Sequence, residues 1–463
     1  MKNPIVRFPM VLIGVSIAVG LLAACIGARV GADRKMTTFD FSRDVLLQTY
    51  RVDSWQQMRA AFIYYRRHRR LAEQPGDKPG ATQIYTNLLL RKQVRFHYPP
   101  TALFIPMAID RLRLDEKTVY DRSIDVFLLV NVAAIGALLL HLLRPQLRGP
   151  PSARDAAVAL LVSTTAVLTF APLPIAASLG QIQVWLNALF AVTFYLYATE
   201  RRALAGVVLG VMTCIKPQCG LFLLWGVLRR DKRLVVAMAA ALAVGFLAGT
   251  AKFGMENWFD FLKGLQFLSQ RGESFFPNQS VNGLANRLLS VAQPQEFNNM
   301  FWRENHLPPH DPRVYAVTVA SSALLLVLSF LPRRSRTVTA TLADFSVMAL
   351  GVTMASPIAW MHHYGILLPI LLFLWLTLAC DPAFARCRRA RAGVLVCAAL
   401  TGNSLPIFNL LAPSYWNVLQ SYMLFGAIGV FALLLWMRHR PDALAPPEVG
   451  PSALERDAAG AVP

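Results

Sequence analysis

Two carboxylates follow the first long hydrophobic run of this sequence at a spacing that suits acid–base chemistry. In the segment TFDFSRD, Asp40 and Asp44 are four residues apart, so a helix would place both on one face, and Arg43 can pair with Asp40 across three residues. A carboxylate outside the membrane can act as a general base that takes a proton from a hydroxyl. The structural alternative is that Asp40 caps a helix beginning at Phe41.

Further polar side chains stand where later hydrophobic runs begin or break. A lysine at a break in an apolar stretch is costly unless it meets an anion, so Lys216 either binds a lipid phosphate or snorkels to the surface. The others have a structural alternative too, because amides and histidines also satisfy backbone groups and populate interfacial belts. The set comprises Tyr98 after His97, Gln181 and Gln183 with Asn187, Lys216 before Pro217, Asn278, Gln279, Asn282, His362 and His363.

The elements that must position these residues are membrane helices. Of the 463 residues, 55% are hydrophobic and 16% are charged, and runs of about 18 or more apolar residues recur, which predicts an all-α polytopic bundle. The first run is too long for a signal peptide and is interpreted as a retained span. Ten full spans are predicted, at about 9–30, 123–143, 155–177, 181–199, 234–251, 314–331, 342–358, 363–380, 392–411 and 417–437.

The basic loops fix the predicted orientation, with RPQLRG, ERR, RRDKR, RRSR and RCRRARA facing the cytoplasm. This arrangement requires residues 203–228 to form a hairpin broken at Lys216-Pro217, and residues 99–110 to re-enter from outside. Outer loops of about 31–122 and 252–313 then lie on the same side as all the candidate polar residues.

The first outer loop contains a predicted amphipathic helix. Trp55, Met58, Phe62 and Tyr65 recur at helical spacing before YYRRHRR, which favours a helix in the headgroup plane with its arginines at phosphate level. A solvated basic face is the alternative interpretation.

Composition also bears on other classes of protein. The net charge of +20 is distributed between hydrophobic runs, so topology and lipid headgroups explain it better than nucleic acid does. The six cysteines lie in or beside apolar runs without metal-ligand spacing, and neither a disulfide nor a metal is predicted. No Walker loop is present, which argues against an ATP-driven pump. We expect a membrane domain over 1–440 and a disordered cytoplasmic tail over 441–463.

These segments, in this order, resemble the family 87 glycosyltransferases, a polyprenyl-phosphate-mannose-dependent group with a GT-C fold. The pieces that carry the resemblance run from about residue 38 to 370 and are TFDFSRD, HYPPTALFIPMA, GQIQVWLNALF, AGVVLGVMTCIKPQCGLFLL, NQSVNGLANRLL and SPIAWMHHYGILLP. The family often has Asn where this chain has Gln183.

The resemblance implies transfer of a sugar from polyprenyl phosphate on the outer face of the membrane, in a single displacement with inversion. It assigns the base to Asp40, with Asp44 as the fallback. Candidates for the donor phosphate are Lys216, His362, His363 and Arg43, and candidates for sugar or acceptor hydroxyls are Gln181, Asn278, Gln279, Asn282 and Tyr98. The expected partners are a polyprenyl-phosphate sugar, a glycolipid or glycan acceptor and membrane lipids in a bacterial inner membrane, with neither cofactor nor nucleic acid.

Three alternatives remain open at this level. A lipid or lipid-sugar flippase would place ionisable groups near the bilayer midplane and often shows two related halves. An O-antigen ligase or polymerase would share an outer-face site but accept an oligosaccharide donor. A non-catalytic assembly subunit would tolerate replacement of Asp40.

Overall fold

The computed structural model describes most of the chain. The described residues are 3–31, 36–72, 83–92, 94–147, 149–289, 308–333, 337–384 and 386–439. The predicted disordered tail and part of the second outer loop lie outside them.

The described residues form an all-helical membrane bundle, and their one β-bridge joins Asn278 to Trp360. In chain order the α-helices are α1 Pro4–Val30, α2 Thr38–Leu46, α3 Asp53–Ala72, α4 Phe104–Arg111, α5 Glu116–Leu143, α6 Ala153–Thr169, α7 Pro172–Ser178, α8 Gln183–Ala198, α9 Arg202–Thr213, α10 Leu221–Leu228, α11 Lys232–Phe253, α12 Glu256–Arg271, α13 Val281–Leu289, α14 Pro312–Phe330, α15 Val338–Met354, α16 Leu367–Cys380, α17 Arg388–Thr401 and α18 Tyr422–His439.

Six helical stretches within the described ranges are long and apolar enough to cross a membrane. They are Pro4–Val30, Glu116–Gln146, Lys232–Phe253, Pro312–Phe330, Met361–Cys380 and Tyr415–His439. The helices α8, α9 and α15 are apolar but shorter, as is the segment Pro217–Leu228. A multi-pass membrane protein is therefore confirmed, whereas the count of ten full spans stays a prediction.

Two predicted spans are interrupted. The run over 155–177 divides into α6 and α7, which meet at an angle of 70°, because Pro172 and Pro174 begin a new helix rather than continue the first. The run over 392–411 ends its α-helix at Thr401, and a 3₁₀ turn begins at Pro406. A turn between short helices brings polar backbone and side chains into the bundle.

The predicted break at Lys216-Pro217 is present. Helix α9 ends at Thr213, a 3₁₀ turn covers Pro217–Gly220, and α10 begins at Leu221. Lys216 itself has extended backbone angles and belongs to neither helix.

Helix α3 is amphipathic, but its apolar stripe packs on the protein. Trp55, Met58, Phe62 and Tyr65 are all buried. The Tyr65 hydroxyl donates to the carbonyl of Lys252 at 2.6 Å, and the centroids of the Tyr65 and Phe253 rings are 5.2 Å apart. The bundle rather than lipid therefore covers the apolar stripe, whereas the position of the helix relative to the headgroup plane stays a prediction.

A left-handed glycine fixes the approach of α3 to the turn before α8. Gly180 has φ +62°, and a Cβ there would lie 1.8 Å from the carbonyl oxygen of Arg51. Backbone bonds from Arg51 to Ser178 and from Asp53 to Leu179 join the two segments. Gly180 thereby lets Gln181 and the start of α3 lie side by side.

Candidate active site

Five segments from distant parts of the chain supply most of the lining of a cavity of about 490 Å³, to which α3 and α14 each add one residue. They are the extended chain before α4, the turn between α7 and α8, the break before α10, the end of α12, and the turn between α15 and α16. Five of the predicted site residues line this cavity, namely Tyr98, Gln181, Lys216, His362 and His363. Other polar lining residues are Gln57, Arg95, His97, Gln183, Gln218, Ser269, Glu273, Ser356 and Trp360.

Much of the remaining wall is apolar. Leu186, Leu221, Leu265, Leu268, Leu326 and Val352 belong to this part of the lining. A ligand that fits such a cavity has a charged or polar group joined to a hydrocarbon portion.

Lys216 is held by neutral groups. Its Nζ donates to Oε1 of Gln183 at 2.8 Å, and Nε2 of Gln183 donates to Oδ1 of Asn187 at 2.9 Å. Nδ2 of Asn187 in turn donates to the carbonyl of His362 at 3.2 Å. Within the described part of the chain no carboxylate forms an ion pair with Lys216. The amides thus orient the Lys216 side chain without pairing it with a negative charge.

The two histidines lie on the turn that precedes α16. Nδ1 of His363 accepts a bond from the backbone N–H of Trp360 at 3.2 Å, which fixes the orientation of its ring. The rings of His362 and His363 are 4.8 Å apart and nearly perpendicular. A neutral His363 that accepts at Nδ1 carries its proton on Nε2 and can donate it to an oxygen.

Gln181 and Tyr98 share a hydrogen-bonded cluster with the start of α3. Oγ of Ser54 donates to Oε1 of Gln181 at 2.6 Å and lies 2.9 Å from the Tyr98 hydroxyl. Nε2 of Gln181 donates to Oδ2 of Asp53 at 3.4 Å. Asp53 was not a sequence candidate, and burial raises the pKa of its carboxyl above the ordinary range.

Asp40, Asp44 and Arg43 do not line the cavity. The carboxylate of Asp40 closes a capping box, because its Oδ2 accepts from the hydroxyl of Thr37 at 2.6 Å and from the backbone N–H of Thr37 at 3.1 Å. The helix therefore begins at Thr38, with Asp40 three residues after the cap rather than at the cap. Asp44 accepts from Oγ of Ser178 at 2.9 Å, and Arg43 lies between both carboxylates.

The three amides of the second outer loop point into the protein and are not among the cavity-lining residues. Nδ2 of Asn278 donates to the carbonyls of Glu273 and Pro357, and Nε2 of Gln279 donates to those of Phe276 and Gln420. Oδ1 of Asn282 accepts the backbone N–H of Glu273 at 3.1 Å.

These amides thus brace the loop and its contact with the turn at 357–361. Their proposed contact with sugar stays a prediction that this geometry does not support.

Sequence reasoning missed an ion pair at the cavity wall. Arg95 and Glu273 bond through Nη1 and Oε1 although 178 residues separate them. Arg95 lies two residues before His97, which is next to the candidate Tyr98, but nothing in the sequence around Glu273 indicates that it lines a cavity.

No three His, Cys, Asp or Glu side chains in the described ranges come together as a metal site, and the expectation that no metal takes part stays a prediction.

The chain is similar in sequence to a known mannosyltransferase. A polyprenol-phosphate-mannose-dependent alpha-(1-2)-phosphatidylinositol mannoside mannosyltransferase of Mycobacterium tuberculosis is 28% identical over 291 residues, which is 61% of this chain and 62% of that protein. The match thus spans less than two thirds of the relative. No solved structure matches.

The model of glycosyltransferase family 87 matches residues 96–357, more than half of the chain. The matched region contains Tyr98, Gln181 and Lys216, whereas Asp40, Asp44, His362 and His363 lie outside it. The fold, the order of the segments and this match agree with the resemblance seen in the sequence, and the chain belongs to glycosyltransferase family 87.

Proposed function

We propose that this protein transfers mannose from a polyprenyl-phosphate donor to a glycolipid or cell-envelope glycan on the outer face of a bacterial plasma membrane. The observation that carries the proposal is a cavity in which an apolar wall meets Lys216, a cation without an ion-pair partner in the described part of the chain. A polyprenyl phosphate combines the same two features, a hydrocarbon chain and one anionic group. The relative's use of polyprenol-phosphate mannose supports mannose as the sugar.

The proposed reaction is a single displacement at the anomeric carbon. The acceptor hydroxyl loses its proton to a carboxylate, its oxygen bonds to C1, and the bond from C1 to the phosphate oxygen breaks with inversion. The leaving polyprenyl phosphate gains negative charge, which Lys216 and neutral donors from His362 and His363 would stabilise. Because phosphate leaves readily, a second catalytic acid is not required as it is in a glycoside hydrolase.

Three carboxylates are candidates for the base. The sequence favours Asp40 and then Asp44, and the geometry adds Asp53, whose Oδ2 is bonded to an amide that lines the cavity. A raised pKa suits Asp53 to proton transfer, since an ordinary aspartate is a weak base at neutral pH. Gln181 and Tyr98 remain candidates for hydroxyl contacts.

Transfer of radiolabelled mannose from polyprenyl phosphate to membrane acceptors by the purified protein tests the proposal. The wild type is compared with Lys216→Gln, Asp40→Asn, Asp44→Asn and Asp53→Asn, and with Glu116→Gln as a control for a paired carboxylate outside the cavity. We expect transfer by the wild type and the control, and loss with Lys216→Gln and with one of the three Asn variants.

Absence of transfer by the wild type with any polyprenyl-phosphate sugar, together with movement of the lipid across the bilayer, would instead support the flippase alternative. Activity that falls in EDTA and returns with magnesium would contradict the expected independence of metal.

A further inference from the structure

Arg95 and Glu273 form an ion pair with each other at the cavity wall, whereas Lys216 bonds to a neutral amide. The Arg95 side chain is 15% exposed and that of Glu273 only 2%, so Arg95 is the more accessible member of the pair, although both residues line the cavity. Burial raises the pKa of Glu273, while Arg95 and Trp360 favour the ionised form. Glu273 therefore acts through Arg95, as a group that fixes the position of the guanidinium.

The loop amides extend this support by one layer. Gly272 ends α12 with φ +65°, and the next residue, Glu273, has both of its backbone polar groups bonded to side chains. Its N–H donates to Oδ1 of Asn282 at 3.1 Å, and its carbonyl accepts from Nδ2 of Asn278 at 2.8 Å. The loop therefore sets the position of one carboxylate against the cavity.

The Arg95–Glu273 pair and Lys216 differ in the net attraction that they exert on an anion. An anion near Arg95 is attracted by the guanidinium and repelled by Glu273, so the net attraction is small. The attraction to Lys216 is not offset in this way, because its partner is the neutral Gln183. The donor phosphate is thus favoured at Lys216. A guanidinium held by a carboxylate instead suits neutral hydroxyls, which need directed donors and no net charge.

The neighbouring wall has the character of a sugar subsite. Trp360 lines the cavity beside the pair, and its ring lies 5.6 Å from that of His362. An indole face can cover the apolar C–H side of a pyranose ring while polar groups bind the hydroxyls at its edge. Arg95, His97 and Lys216 all line this one cavity, so a single sugar phosphate can contact both subsites.

From these contacts we infer that Arg95 and Trp360 form the subsite that holds the transferred sugar, with Glu273 positioning Arg95 and Lys216 holding the phosphate. The inference rests on the proposed function and adds to it the division of the cavity between sugar and phosphate.

Binding of two lipids to the purified full-length protein in nanodiscs tests this division. The probes are polyprenyl phosphate and the same lipid bearing mannose. Glu273→Gln should weaken binding of the mannose lipid by at least about tenfold, because the guanidinium is no longer fixed for the hydroxyls. It should leave polyprenyl phosphate binding unchanged or tighter, because a negative charge near the anion has been removed. Lys216→Gln should weaken both lipids, and Glu116→Gln should weaken neither.

A double variant distinguishes a specific loss of sugar binding from general misfolding. The double replacement Arg95→Gln with Glu273→Gln keeps the net charge, so polyprenyl phosphate should bind within about twofold of wild type while the mannose lipid binds at least about tenfold more weakly. Equal weakening of both lipids by Glu273→Gln and by the double variant would overturn the inference, as would no effect on either. Failure of the wild type to bind either lipid would contradict the proposed function itself.

Discussion

The neutral groups around Lys216 leave it able to bind an anion. A carboxylate in place of Gln183 would satisfy the ammonium group permanently, whereas an amide oxygen orients it without cancelling its charge. The Gln183 amide is in turn oriented by Asn187, which is tied to the turn that carries both histidines. Gln183, where the family often has Asn, thus has a defined role in positioning Lys216.

Replacement of Gln183 tests this role. Gln183→Glu should lower kcat/KM by about 100-fold, because a carboxylate near 2.8 Å from Nζ would compete with the donor phosphate. Gln183→Asn retains a neutral amide and should lose less than about tenfold. Steady-state kinetics with a polyprenyl-phosphate sugar measures both, and equal effects of the two variants would contradict the competition.

Asp53 gives a prediction about pH. Its folded-state pKa is raised by burial above the value of an unfolded aspartate, so ionisation costs stability as pH rises through the folded pKa. Asp53→Asn should therefore raise the thermal unfolding midpoint at pH 7, and the difference from wild type should shrink as pH falls towards 4. If Asp53 is the base, the variant also loses transfer, and the wild-type rate falls as pH falls through the raised pKa. A midpoint difference that does not depend on pH would exclude this account.

At the scale of elements, the loop between α12 and α13 determines the shape of one cavity wall. Its amides bond to backbone carbonyls of the same loop, of the turn at 357–361 and of the segment before α18. Buried backbone groups must be satisfied inside a membrane bundle, and side-chain amides do this where the chain is not helical. Gln279, fully buried, joins three of these segments.

Two glutamines that line or support the cavity should respond differently to the same replacement. Gln279→Leu should lower the free energy of unfolding by about 1–3 kcal/mol for each unsatisfied buried group, with little change in donor KM. Gln181→Leu should lower stability as well, because its bonds to Ser54 and Asp53 are lost, but it should also raise KM, since Gln181 lines the cavity. Thermal unfolding and kinetics on the same preparations separate the two effects, and a raised KM with unchanged stability for Gln279→Leu would restore its predicted contact with sugar.

At the scale of the whole molecule, a buried charge cluster joins parts of the chain that are far apart in sequence. Asp344 of α15, fully buried, accepts from Arg229 after α10 at 2.6 Å and from Arg438 at the end of α18 at 3.2 Å. Arg229 and Arg438 also donate to carbonyls at the end of α14. Four helices therefore meet at this charge cluster, at the opposite end of α10 from Lys216.

Removal of this carboxylate should destabilise the bundle. Asp344→Asn leaves two guanidinium groups without their shared counter-charge and should cost about 3–5 kcal/mol. Asp231→Asn is the control, because Asp231 caps α11 at a half-buried position and takes no part in the Asp344 ion pairs, and asparagine caps equally well. Unfolding of both variants in the same detergent measures the difference, and equal stabilities would show that water screens the cluster.

The amino-acid sequence by itself determined the class of fold and the places where its helices break. Apolar runs, prolines and basic loops act locally, so the hairpin break at Lys216-Pro217 and the polar turn at His362 could be read directly from them. These features placed Tyr98, Gln181, Lys216 and both histidines on one face of the membrane, and the structure brings the same residues together around one cavity.

Tertiary packing alone decided which polar groups face that cavity and which support it. Asp40 bonds to Thr37, and Asn278 and Asn282 turn inward, because uncapped helix ends and non-helical loops in a membrane protein must satisfy their own backbone groups. Glu273 meets Arg95, and Asp53 meets Gln181, across 178 and 128 residues respectively. Such pairings depend on how distant segments pack, and neither periodicity nor residue spacing within one segment contains that information.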